Sequence, residues 1–131
     1  MLETHLKQIS LQYSFPLDLE KDGEGFYQLM IDPQTPLAIK ELPKGFVCRS
    51  DVAALTTQDL EDLLALLMRA NYLGQGTKGG VLALNETAQA IVFFTSMLQE
   101  YNYKEFKDKI EECVNYLNYW KTRIKEATTK R

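Results

Sequence analysis

The segment from Thr56 to Gly80 carries more leucine than one layer of protein can hide, and that surplus limits the folds open to the chain. Leu60, Leu63, Leu64 and Leu67 recur at i, i+3, i+4 and i+7, the spacing of one face of a 3.6-residue helix. Leu66, Met68, Ala70 and Leu73 extend the apolar surface round the side. Thr56 with Asp59 three residues on approximates a capping box, and Asp59, Glu61 and Asp62 lie at the positive end of the helix dipole. Asn71, Tyr72, Leu73 and Gly74 end the rhythm, and glycine accepts the left-handed conformation that closes a helix. A helix so short and so broadly apolar is either the centre of a layered domain or a surface that meets a second subunit.

A chain of 131 residues is long enough for one domain, expected to span 1–131, with a buried core. Its 45% hydrophobic and 25% charged residues are ordinary globular composition, so disorder is expected only in the last residues, Thr128 to Arg131. The formal net charge of -3 argues against a duplex nucleic-acid partner, which needs a basic face. No apolar run approaches the ~18 residues of a membrane span, so no membrane insertion is expected. Met1 to His5 lack the basic-then-apolar layout of a signal peptide, which points to a cytoplasmic protein. Cys48 and Cys113 lie far apart in apolar surroundings and read as buried free thiols rather than a disulfide.

Leu2, Leu6, Ile9 and Tyr13 mark an amphipathic helix over 2–14, stopped before Pro16. Phe26 to Ile31, Leu37 to Leu42 and Phe46 to Arg49 read as three short strands. Their connections are too short for a parallel crossover, so they form an antiparallel meander. Val81 to Leu84 and Gln89 to Thr95 flank a hairpin turn at Asn85 to Ala88. Tyr103, Phe106, Ile110, Cys113, Leu117, Trp120 and Ile124 then alternate spacings of three and four, marking a helix about 24 residues and 36 Å long. Such a stripe suits one strand of a coiled coil, but its aromatics and cysteine fit packing on a sheet better. The fold class is α+β: an antiparallel sheet with three helices in the order α-β-β-β-α-β-β-α.

The chemical motifs are weak. Gly74, Gly76 and Gly79 spell GxGxxG, but a helix precedes them and a strand follows, the reverse of a phosphate-binding turn. Asp18, Glu20, Asp22 and Gly23 begin like a calcium loop, yet its twelfth position is Leu29 and not glutamate, so a solvated turn explains them. His5 is the one histidine, without a nucleophile near it in sequence, and reads as structural. Glu111 and Glu112 point about 100° apart on a helix and make no facing pair. No catalytic, cofactor-binding or metal-binding residue is therefore assigned. Phe93 and Phe94, consecutive in a strand, make both faces of the sheet apolar. One face is left for more helix, a second subunit or a bound polypeptide.

The element order, the segment Leu60 to Asn71 leading through glycines to Val81–Leu84 and Gln89–Phe94, and the last helix with Trp120 resemble one family. It is the class I, CesT-like or SycE-like chaperones of bacterial type III secretion, and the resemblance covers nearly the whole chain. The resemblance implies a homodimer built from the second helix and its neighbouring strand, with Leu60, Leu63, Leu64 and Leu67 at the interface, or a heterodimer with a second chaperone. It implies no catalysis and no cofactor, and a client that is the N-terminal region of a secreted effector, held extended and competent for export. The stripe of the first helix is the apolar surface least committed to the core. A client groove shared by Leu6, Ile9 and Tyr13 with Phe26, Met30 and Val47 is therefore expected. One rival is a regulatory module acting on the transcription machinery through Lys104, Lys107, Lys109, Lys121, Arg123 and Lys125. The other, a small enzyme, lacks a constellation to carry it.

Overall fold

The computed structural model describes residues 2–18, 20–32, 35–55, 60–72, 80–85, 87 and 89–129. Helix α1 (Leu2–Tyr13) leads to strands β1 (Leu17–Asp18), β2 (Phe26–Asp32), β3 (Thr35–Glu41) and β4 (Phe46–Ala54). Helix α2 (Leu60–Asn71), strands β5 (Val81–Leu84) and β6 (Ala90–Met97) and helix α3 (Tyr103–Thr129) follow. This is the expected α+β order with one addition, the two-residue β1. The strands are ordered β1-β2-β3-β4-β6-β5, and β2, β3 and β4 form the antiparallel meander that their short turns require. The chain divides into two compact units, Met1–Ser50 with Ser96–Glu112 and Asp51–Thr95 with Cys113–Arg131, so β4 and α3 supply residues to both.

In the first unit, register decides which side chains share a face. Tyr27 pairs with Ile39 and Ile39 with Cys48, while Leu29 pairs with Leu37 and Glu41 with Phe46. The apolar members of this face are all buried. The ring of Phe46 lies 5.2 Å from Phe106 of α3 and 4.9 Å from Tyr101, both edge-on. Leu2, Leu6 and Ile9 of α1 are buried too, each burial being worth about 1.5–3 kcal/mol. The other face carries Phe26, Lys40 and Val47 in one cross-strand row, with Gln28 opposite Ala38 and Met30 opposite Pro36.

In the second unit, β5 pairs with β6 in the register Leu82 to Phe93 and Leu84 to Ile91. Leu82, Ile91 and Phe93 are buried, whereas Val92 and Phe94 on the opposite face are half-buried. Leu63, Leu67 and Ala70 of α2 and Cys113, Leu117, Trp120 and Ile124 of α3 are buried. The stripe read along α3 is thus a core stripe from Phe106 to Ile124, while Tyr103 at its start is half-buried. Both cysteines are buried thiols.

Several boundaries differ from the sequence reading for local reasons. β3 starts at Thr35 and runs through Pro36, because the register of β2 shifts between Met30 and Asp32, and an irregularity of that kind tolerates a residue without an N–H. β4 does not stop at Arg49: Ser50 is buried and its hydroxyl donates to the Pro36 carbonyl at 2.7 Å, so the inward alternation continues to Val52. Helix α3 opens on a reciprocal cap, in which the Glu105 N–H donates to Asn102 Oδ1 at 2.8 Å and the Asn102 N–H to Glu105 Oε1 at 3.2 Å. Around Asp22 the expected solvated turn is present: Asp22 Oδ1 accepts from the N–H groups of Phe26 and Glu24, and these bonds hold its carboxyl below the usual range. The Thr56–Asp59 cap, Leu73, the Gly74–Gly79 glycines and hairpin residues Glu86 and Ala88 lie outside the described residues.

Gly45 joins β3 to β4 at φ +104°, and a Cβ there would stand 1.7 Å from the Met97 carbonyl oxygen. Gly45→Ala should therefore destabilise the fold by at least about 1–3 kcal/mol, seen as a lower urea midpoint. Gly23→Ala, at an ordinary φ with no heavy atom within 4 Å, should leave the midpoint unchanged or slightly raised.

Candidate functional site

The end of α1 and the end of β2 enclose an open cleft of about 370 Å³, lined by Tyr13, Ser14, Phe15, Pro16, Met30, Ile31 and Asp32. Helix α1 stops because Ser14 takes a left-handed φ of 56°, after which the Phe15 N–H donates to the Ser10 carbonyl at 3.1 Å. That turn stacks the rings of Tyr13 and Phe15, 5.3 Å apart, as one wall. α3 steadies the wall: the Tyr13 hydroxyl donates to Glu111 Oε1 at 3.1 Å, and Lys107 Nζ lies 5.8 Å from its ring. The bond to Tyr13 holds the Lys107 ammonium above its usual pKa. Chemically the cleft offers aromatic and aliphatic walls, suited to an apolar side chain.

Several main-chain groups of β2 that turn towards β1 have partners. Met30 N–H donates to the Pro16 carbonyl at 2.9 Å, Asp18 pairs with Gln28, and Asp22 N–H donates to the Phe26 carbonyl at 2.9 Å. On the other sheet face Phe26 is buried: the Arg49 guanidinium covers its ring at 4.2 Å and pairs with Glu24 at 3.3 Å.

The second surface lies on α2. Leu63 and Leu67 turn inward, Leu60 and Leu64 are half-buried, and Met68 and Tyr72 are 74% and 66% exposed. Leu60, Leu64, Met68 and Tyr72 follow one another every four residues as an outward stripe. Val81 and Leu84 of the neighbouring β5 are each 39% exposed.

Of the residues expected to hold a client, the structure brings Tyr13 and Met30 together in the cleft. Phe26, Met30 and Val47 share a sheet face, and Leu6 and Ile9 are buried beneath α1. Phe15, Pro16 and Ile31 were missed. Phe15 falls off the α1 stripe and enters the cleft only because the helix ends at Ser14; a serine one residue short of Phe-Pro was the available signal. The lysines of the rival reading are dispersed: Lys104 pairs with Asp108 and Lys109 with Glu112 along α3, while Lys107 faces Tyr13. Among the described residues no helix is long and apolar enough to cross a membrane.

The surfaces described are an apolar cleft and an apolar helix stripe. A sequence profile of the Tir chaperone protein (CesT) family matches residues 4–121, and the chain belongs to that family. It is a chaperone of type III secretion and not an enzyme. Solved structures share its fold. A chain of the heterodimeric complex ExoU-SpcU from the type III secretion system of Pseudomonas aeruginosa matches with a TM-score of 0.68 at 14% identity, covering 100% of each chain. A chain of the ExsC-ExsE complex gives 0.67 at 14% identity over 92% of this chain and 91% of its own. One from the HopA1-SchA chaperone-effector complex gives 0.66 at 15% identity over 92% and 93%. No curated protein matches the sequence significantly.

The seat of α1 carries a titratable group. His5 packs against Tyr101, Tyr103 and Phe106 at centroid distances of 5.3, 6.0 and 5.7 Å, and its Nδ1 is buried without a hydrogen-bond partner. Burial first, and then the charged N-terminus, lowers its pKa from 6.5. The unfolded chain thus binds the proton more readily than the folded one. The stability held by neutral His5 is present above pH 6.5 and is lost as pH falls through that value towards the lower folded one. The melting temperature should drop between pH 7.5 and 5.5, and His5→Phe, which keeps a ring in place, should shrink that drop.

Proposed function

We propose that this chain is a cytoplasmic, dimeric export chaperone that holds the N-terminal region of a type III secreted effector in extended form. The observation that carries the reading is the family match across residues 4–121, which includes both the elements forming the cleft and all of α2. For the same reason residues 1–131 act as one domain. Tyr13, Phe15 and Met30 take an apolar anchor of the client, while Phe26 and Val47 offer the adjoining sheet face. Leu6 and Ile9 act from beneath by fixing α1. Leu60 and Leu64, with Met68 and Tyr72, meet the second subunit, and Leu63 and Leu67 hold α2 in its own protomer. The second subunit is another copy or a second chaperone. Affinity comes from several modest apolar contacts, so it depends weakly on salt, unlike a nucleic-acid contact.

Two sets of variants test this. Tyr13→Ala with Met30→Glu should remain folded and dimeric while binding the N-terminal segment of the co-purifying effector about 10- to 150-fold less tightly, the loss of one buried anchor. Wild-type protection of that segment from protease by the folded variant would place the client elsewhere. Met68→Asp and Leu64→Asp should halve the mass in light scattering with circular dichroism unchanged, whereas Leu63→Asp should unfold the protomer. A wild-type mass near 15.1 kDa at micromolar concentration would remove the dimer from the proposal.

A further inference from the structure

At the last residue of α2, the Asn71 carboxamide makes both hydrogen bonds that a neighbouring strand would make to Leu82. Leu82 N–H donates to Asn71 Oδ1 at 2.8 Å, and Asn71 Nδ2 donates to the Leu82 carbonyl at 2.7 Å. β5 ends the sheet, so the groups that its alternate residues turn away from β6 form an edge. The register shows which residues these are. Asn85 N–H donates to the Ala90 carbonyl, which makes Ala83–Val92 and Val81–Phe94 the hydrogen-bonded pairs in the same ladder; Leu82 and Leu84 turn outward.

We infer that Asn71 closes the β5 edge against strand addition by a second copy of this chain, leaving α2, among the described residues of this region, as the surface through which protomers join. The occupant follows from the strand itself. Two copies of β5 pair antiparallel about Ala83 with Leu82 of each opposite Leu84 of the other, so every inter-chain bond needs one main-chain group of a Leu82. Centring the pair on Leu82 needs Leu82 again, and centring it on Leu84 leaves only that residue overlapped within β5. One side chain therefore forbids each useful register. The apolar content for such pairing is present in Val81 and Leu84, both 39% exposed. What Asn71 withholds is the hydrogen bonding. A carboxamide suits this task because it presents one donor and one acceptor in the geometry of a peptide group.

The experiment compares each variant with wild type, so it stands whatever the wild-type mass proves to be. Asn71→Ala should keep the wild-type circular dichroism and form assemblies larger than the wild type, growing with concentration from micromolar to hundreds of micromolar in light scattering. Adding Leu84→Pro, which removes an outward N–H without touching the bonds to β6, should return the mass to the wild-type value. A folded Asn71→Ala protein with wild-type mass throughout that range overturns the inference. Amide exchange in the wild type decides the matter should Asn71→Ala fail to fold: Leu82 N–H should exchange at least about tenfold more slowly than Leu84 N–H, and equal rates would show that the edge is open.

Discussion

Phe46 is the contact on which the first unit closes. It stands at the start of β4 on the face that Tyr27, Leu29, Leu37 and Ile39 make apolar, and it meets both Tyr101 and Phe106 edge-on. His5 stacks on the same Phe106, so helix α1, the sheet and α3 share one aromatic cluster. The position of α1 follows from it, and so does the place where α1 must end. Because Leu2, Leu6 and Ile9 are spent on this core, only the last turn, with Tyr13 and the reversed Phe15, is left to form a surface. The cleft is thus a by-product of how the core is filled, stiffened by the Tyr13–Glu111 bond to α3.

The leucine surplus of α2 has a different resolution. Leu63, Leu67 and Ala70 fall on one side of the helix and are buried, while Leu64, Met68 and Tyr72 fall on the side that stays open. A sequence count of leucines cannot separate these two sets, because Leu63 and Leu64 are neighbours whose directions differ by about 100°. Only the seat of the helix, fixed at its end by Asn71 on Leu82, decides which way each one turns.

Much of the architecture was legible because it rests on period. The seven-member stripe of α3 and the four-member stripe of α1 needed no tertiary information, and Val81–Leu84 was read to the residue. The elements that escaped depend on partners distant in the chain. β1 is two residues long, too short for any period, and exists because β2 offers it hydrogen bonds. The second half of β4 was hidden by Ser50, which reads as a strand end until Pro36 supplies its acceptor. The cleft was legible only in part for the same reason: Leu6 and Ile9 are apolar like Met30, and burial, which separates them, is a property of the packed sheet. The family resemblance supplied what periodicity could not, the kind of partner such surfaces serve.

A protein that handles extended chains faces a hazard in its own sheet, since an open strand edge binds any extended segment, including another copy of itself. Two strands, β2 beside the two-residue β1 and β5 at the other end of the order, answer it with groups from their own chain. Several groups of β2 that turn towards β1 are taken by Pro16, Asp18 and Asp22, and Leu82 of β5 is taken by Asn71. Main-chain hydrogen bonding tolerates any sequence, so closing it removes the least selective mode of capture from β2 and from the centre of β5. Under the proposed function, selectivity then passes to side-chain shape: a cleft of about 370 Å³ has room for a few apolar atoms at a defined place, and the stripe on α2 suits a matching helix face. Under that same proposal, the division of apolar residues between core, cleft and stripe keeps the client's site apart from the surface that joins protomers.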